Sequence, residues 1–351
     1  MSQFWTDKAR DTVPYVPGEQ PKQIDLVKLN TNEHALPPSA AVLDALRNVS
    51  GDMLRRYPDP DATALKQRIA EDEGLTPSNV FVGNGSDEVI ALAWQALFAR
   101  PCGVTTVDVT YSFYPVWAQL YDTELRIQPL QDDFSVDVEA MNQSQGTLLL
   151  ANPNAPTGLA LSCAEIEYLV QSRPDRLVVV DEAYQGFGAE TAAPLIARYD
   201  NLLVTRTLSK TWSLAGLRVG YALGHQDLVT AISRIKDAFN SYPIDAVAQS
   251  VAVAALQDRE WLRHASATVV KARDELIDSL RAMDFDVLPS AANFIFVQHR
   301  TRSGEELFGV LRSHGVIVRR WNQPRIENFL RITIGTEEQN QRLLVALAET
   351  L

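Results

Sequence analysis

At 351 residues the chain exceeds the roughly 250 to 300 that one core usually supports, so a larger and a smaller domain are expected. Apolar residues at 46% and charged residues at 22% describe an ordinary globular chain and exclude a disordered or fibrous one. The net charge of -12 argues against nucleic acid as the main partner, and two cysteines, Cys102 and Cys163, are too few for a disulfide framework or a CxxC-type metal site, which fits a reducing cytoplasm.

The first residues, MSQFWTDKARDTVPY, lack the apolar core of a signal peptide, and no uncharged apolar run reaches the roughly 18 residues of a membrane helix. Residues 1–30 carry Pro14, Pro17, Gly18 and Pro21, which disfavour regular structure. They read as an extended arm packed on something else, a second subunit being one choice. Short β-branched runs at 79–82, 104–109, 147–150, 177–180, 202–205 and 218–223 then alternate with helix-compatible segments. That alternation predicts an α/β fold with a mostly parallel, doubly wound sheet over residues 31–240. The run 177–180 has no polar alternation, as expected of a central strand buried on both faces.

After Asn240 the texture changes. An Ala-rich helix suited to close packing is expected at 246–256, a long helical region at 258–283, and short strands near Val287, 294–297, 316–318 and 330–334. Residues 241–351 therefore read as a smaller α+β domain. No period of 20 to 50 residues recurs, so a repeat architecture is not expected.

Ligands of an open α/β sheet bind beyond the carboxyl ends of the strands, so the residues that follow each strand are the candidates for chemistry. Gly83-Asn84-Gly85-Ser86-Asp87-Glu88 is a strand, glycine turn and helix start, the arrangement in which backbone N–H groups hold a phosphate. Read alone, Ser86 or Asp87 is equally a helix cap. The lack of GxGxxG or GKS/T counts against a dinucleotide or nucleoside triphosphate. Tyr111 follows 104–109 and can stack on a ring or serve as an ordinary core aromatic. Asn152-Pro153-Asn154-Ala155-Pro156-Thr157-Gly158 is over-specified for a mere turn, and Asn154 can aim its amide at a ring hydroxyl.

Asp181 ends the most apolar strand, where a carboxylate is costly unless partnered; it is either a helix cap or the partner of a protonated ring nitrogen. Tyr184, three residues on, can reach the neighbouring ring hydroxyl. Lys210 lies in Thr207-Leu208-Ser209-Lys210, directly after 202–205, and points into the crevice. A lone lysine is usually a solvated charge, but Ser209 offers a hydroxyl and Arg218 a planar fork suited to phosphate. On the strand 330–334, Arg331 faces away from Leu330, Ile332 and Ile334, towards either solvent or a site.

Together these motifs resemble the fold-type I pyridoxal-phosphate aminotransferases over nearly the whole chain. They are most similar to the histidinol-phosphate aminotransferase family, through Lys28-Leu29-Asn30-Thr31-Asn32-Glu33, Tyr57-Pro58-Asp59, the 83–88 and 152–158 segments, Asp181 to Tyr184, Thr207 to Lys210, and Leu330-Arg331-Ile332-Thr333-Ile334-Gly335-Thr336. The resemblance implies pyridoxal 5'-phosphate as cofactor, held as a Schiff base on Lys210. By the same likeness Asp181 pairs the pyridine nitrogen, Asn154 and Tyr184 contact the ring hydroxyl, and Tyr111 stacks on the ring. The cofactor phosphate falls to Gly85, Ser86, Asp87, Thr207, Ser209 and Arg218, with Tyr57 reaching it from a partner subunit in a homodimer. Arg331, helped by Arg319, Tyr15 and Asn30, takes the phosphate of histidinol phosphate and a carboxylate of 2-oxoglutarate or glutamate. No metal is expected.

The family commonly continues Asn-Pro-x-Gly-Pro where this chain has His34-Ala35-Leu36-Pro37-Pro38, and Gln185-Gly186 also differs from its pattern. Both departures bear on the substrate and neither on the cofactor. Two rivals share the cofactor residues: an aromatic amino-acid aminotransferase and a phospho-amino-acid decarboxylase. A transcription regulator built on this fold needs a DNA-binding domain of roughly 60 residues ahead of it, and only the short arm stands there.

Overall fold

Eight strands run in chain order along the first two thirds of the computed structural model, which describes residues 3–20 and 25–351. They are β1 (Val27–Lys28), β2 (Val80–Gly83), β3 (Val104–Val107), β4 (Leu125–Gln128), β5 (Thr147–Ala151), β6 (Val178–Asp181), β7 (Leu202–Thr207) and β8 (Gly220–Gly224). Seven of them form one sheet in the order β2-β8-β7-β6-β5-β3-β4. Only β8 is antiparallel to its neighbours, so the sheet is the mostly parallel, doubly wound one expected. The edge strand β4, Leu-Arg-Ile-Gln, was not anticipated: it is only half-buried and lacks an apolar run.

Strand alternation explains the two-sided core. Val178 and Val180 face one layer together with Val204 and the helix Ala246–Gln257, while Val179 and Leu203 face the other with Trp94 and the helix Gln226–Phe239. Each such side chain removed from water contributes about 1.5 to 3 kcal/mol. The Ala-rich helix packs closely on the helices Ala40–Arg47 and Thr63–Glu73. The helix that starts at the glycine turn is regular over Gly85–Ala93, then widens into a π-helical turn, Trp94–Phe98, whose two bulky rings are fully buried.

The long helix Arg259–Arg281 leads to a three-stranded antiparallel sheet of β9 (Phe285–Val287), β10 (Phe294–His299) and β12 (Leu330–Thr333). β11 (Val316–Ile317) instead pairs in parallel with β1, so Val27–Lys28 is a strand, not part of a structureless arm. The rest of the described arm also departs from expectation. It carries a short helix, Asp7–Asp11, capped by Thr6, and it packs on its own chain, Val13 N donating to Gln119 and Tyr15 stacking on Phe113. Met1, Ser2 and Pro21 lie outside the described residues.

Register sets the position of the site. Ala151, Asp181 and Thr205 lie side by side across β5, β6 and β7, and Gly83, Gly220 and Thr207 align across β2, β8 and β7. Because β8 runs backwards, its first residues meet the last residues of its neighbours at one sheet edge. The segments carrying Ser86, Tyr111, Lys210 and Arg218 all emerge there.

Candidate active site

A cavity of about 360 Å³ opens at that edge. Lys210 reaches it from the turn after β7, where its Nζ donates to Thr31 O at 3.0 Å. Burial, with the nearby Arg331 charge, holds its amine down to about 8. Asp181 closes the floor with both oxygens occupied: Tyr114 donates to Oδ2 at 2.9 Å and Thr205 to Oδ1 at 3.2 Å. Burial pushes its carboxyl up to about 6, against the pull of those two donors. The next residue, Glu182, points through the sheet to Arg206, 2.8 Å away, as the two-residue period requires.

At the other end of the cavity lie Ser86, Thr207, Ser209 and Arg218. Thr207 donates to Ser209 at 2.8 Å, and Arg218, in the left-handed region at φ 57°, sits 3.5 Å from Asp87. Gly85 makes the corner: with φ +79°, a Cβ there would come within 2.5 Å of the Arg218 guanidinium. Gly220 lies so close to the helix start that a Cβ would overlap the Ser86 amide nitrogen. Hydroxyls, a helix start and an arginine in one corner suit an anion.

Tyr111 lies between these two ends, donating to Asp87 at 3.0 Å with its ring edge-on to Tyr114, 5.5 Å between centroids. Tyr184 lines the wall, its hydroxyl accepting from Asn32 Nδ2 at 2.8 Å. Asn154 does not line the cavity. Its amide donates to Val109 O at 2.8 Å and to Thr157 Oγ1 at 3.0 Å, and its carbonyl oxygen accepts from Thr110. Its amide thus ties its own loop to the segment that follows β3. Tyr57 is also remote from this chain's cavity, 83% exposed and stacked on Tyr242 at 4.7 Å.

The mouth is cationic. Arg319 and Arg331 bridge antiparallel through mutual backbone hydrogen bonds of 3.0 and 2.8 Å, which put both guanidinium groups on one wall. Arg331 donates to Asn30 O at 2.8 Å and Arg319 reaches Val16 O at 3.4 Å. Among the described residues no carboxylate lies within ion-pair distance of either. Burial lowers Arg331 from its ordinary value, and Arg331 Nε, Asn30 Oδ1 and Thr31 Oγ1 are buried without a hydrogen-bond partner. Tyr15, from the arm, covers this wall beside Tyr111.

Three contributors escaped the sequence reading. Tyr114 is one helical turn beyond Tyr111, a spacing that could have flagged it. Asn32 lay inside a noted motif and ties Tyr184 to Thr333 of β12. Trp321, which lines the cavity next to both arginines, gave no signal.

The model of aminotransferases of class I and II matches residues 24–347. The chain belongs to the class I and II aminotransferase family. A histidinol-phosphate aminotransferase of Acinetobacter baumannii is 49% identical over 99% of this chain and 97% of its own. That of Gluconacetobacter diazotrophicus is also 49% identical, over 100% and 99%. The fold matches the crystal structure of histidinol-phosphate aminotransferase from Sinorhizobium meliloti in complex with pyridoxal-5'-phosphate, with a TM-score of 0.87 and 24% identity over 99% of this chain and 98% of that one. For a class I and II aminotransferase the donor set fits a phosphorylated pyridine aldehyde: an anion corner, a buried carboxylate for a ring cation, and a depressed amine between them.

Proposed function

We propose that the chain transfers the amino group of L-histidinol phosphate to 2-oxoglutarate, giving imidazole-acetol phosphate and glutamate, a step of histidine biosynthesis; its relatives are named histidinol-phosphate aminotransferases. The observation that carries this reading is the pair Arg319 and Arg331. Two cationic groups without a carboxylate partner suit a phosphate dianion better than a single carboxylate.

Pyridoxal phosphate, when bound, supplies the electron sink that makes the proton on the amine-bearing carbon removable. Ser86, Thr207, Ser209 and Arg218 would hold its phosphate, Tyr111 would cover a ring face, and Tyr184 would contact the ring hydroxyl. Asp181 would pair with the ring nitrogen and keep a proton on it. Lys210 would hold the cofactor through its amine and, once free, would carry the proton away from the amine-bearing carbon of the substrate. A depressed amine suits both jobs, since a neutral amine is the reactive base. Arg331, with Arg319, Asn30 and Tyr15, fixes the far end of either substrate.

Tyr57 is best explained as serving the active site of a second copy, because its ring is 83% exposed and does not line the cavity of its own chain. A homodimer follows from that. Among the described residues no helix is long and apolar enough to cross a membrane, and a cytoplasmic location is part of the same proposal.

The test is purified protein loaded with pyridoxal phosphate, assayed with histidinol phosphate and with phenylalanine, and followed by its visible cofactor band. Histidinol phosphate must change the band and be turned over with 2-oxoglutarate, and Lys210→Ala must lack both. Preference for phenylalanine by tenfold or more would sink the substrate assignment. Carbon dioxide release from a phospho-amino acid without a keto acceptor would mean a decarboxylase.

A further inference from the structure

The two arginines at the mouth raise a physical problem. Like charges on adjacent bridge residues repel, and burial weakens the water that would screen them. A carboxylate between them would solve this but would also cancel the charge meant for the substrate. No carboxylate is within ion-pair distance among the described residues, yet the guanidinium groups are not without support. The Arg331 guanidinium carbon lies 5.2 Å from the Trp321 ring centroid and that of Arg319 lies 5.4 Å from it. Phe294 flanks Arg331 from elsewhere, at 5.4 Å.

We propose that Trp321 is the positioning and specificity-determining residue of the anion site: its ring holds Arg319 and Arg331 together as a pair, and the pair selects a phosphate dianion over a carboxylate. An aromatic face attracts a cation through its quadrupole and carries no net charge. It therefore stabilises both guanidinium groups without neutralising either. Trp321 is itself held from behind, edge-on to Phe296 at 6.4 Å, and it lines both the active-site cavity and the groove beside the arm. A carboxylate can be met by Arg331 alone, whereas a dianion with three oxygens engages both groups, so only the second depends on their spacing.

This inference rests on the reading of the mouth as an anion site for histidinol phosphate. The test compares wild-type holoenzyme with W321F, which keeps an aromatic face, and W321M, which fills space without one; W321L replaces W321M if the latter does not fold. KM is measured for histidinol phosphate and, in the reverse half, for glutamate, and inorganic phosphate is titrated as a competing ligand. Loss of a partly desolvated cation–π contact of 1 to 2 kcal/mol corresponds to roughly five- to thirtyfold weaker binding. W321M is expected to raise the KM for histidinol phosphate and the inhibition constant of phosphate by about tenfold, and the KM for glutamate by about threefold or less, with W321F near wild type. Equal changes for the two substrates, or W321F behaving as W321M does, would overturn the proposal, because a merely structural tryptophan affects both substrates alike. If wild type does not turn over histidinol phosphate, the substrate reading fails, and the phosphate titration still decides the role of Trp321.

Discussion

The buried phenol of Tyr114 donates a 2.9 Å hydrogen bond to Oδ2 of Asp181, while its ring supports Tyr111 edge-on, so one side chain braces both the floor and the face of the cofactor site. Tyr114→Phe keeps the ring and removes the donor. The Asp181 carboxyl then rises above its present value of about 6, since a hydrogen bond to its charged form is lost. Equilibrium binding of pyridoxal phosphate at pH 7 is expected to weaken by about tenfold, the worth of a charge-assisted hydrogen bond. Unchanged affinity would show that Thr205 alone suffices.

Asp181 also makes the apoprotein sensitive to pH. Its carboxyl is raised from 3.8 to about 6 in the fold, so the folded state prefers the protonated form. Between those values the unfolded chain releases the proton while the folded one retains it, and stability falls as pH rises, levelling off above about 6. Asp181→Asn carries no such penalty. By denaturant unfolding without cofactor it should be more stable than wild type at pH 8, by about 3 kcal/mol, and nearly equal at pH 4. Added pyridoxal phosphate should reverse the order at pH 8.

Lys210 should attach the cofactor with a pH profile of its own. Only the neutral amine reacts, and burial with the Arg331 charge sets its midpoint at about 8 in place of 10.5. The rate of cofactor uptake by apoprotein, followed by stopped-flow absorbance, should rise with pH and level off above that midpoint. A rise continuing to pH 10 would contradict the burial that lowers it.

Arg331→Leu separates function from stability. In the proposed role the variant loses its charge-assisted hold on substrate, so kcat/KM should fall roughly a hundredfold for both amino substrates. The apoprotein should melt no lower than wild type, because a buried cation without a carboxylate partner has been removed. The Lys210 midpoint should move upward as well, since the charge of Arg331 helps depress it.

Gly220→Ala tests the corner where β8 meets the helix start. The new Cβ overlaps backbone atoms of Gly85 and Ser86, which cannot rotate aside. Stability should drop by about 3 kcal/mol, and cofactor affinity should drop with it as the anion corner opens. Gly216 has no heavy atom near its would-be Cβ, and Gly216→Ala serves as the control for a melt that should barely shift.

The strand-end positions of the residues at the anion end of the cavity are largely legible in the sequence. Lys210, Asp181 and the Gly83 to Glu88 turn each follow a strand, and a strand followed by a turn is a local arrangement written in consecutive residues. Asn154 shows the limit of that reading. Its position after β5 was recognisable, but whether its amide faces the cavity or the loop depends on Val109 and Thr157, which only packing brings to it.

The sequence by itself determined the alternation of buried strands and helices that makes a mostly parallel sheet, and which residues follow those strands, because side-chain period and turn chemistry act over a few residues. Tertiary structure decided the rest. The reversal of β8 brings Arg218 to the glycine turn, the Arg319 and Arg331 bridge gathers two charges on one wall, and Trp321 settles against both. Those contacts join residues far apart in the chain, and their free energy comes from burial and pairing across elements, which no local pattern encodes.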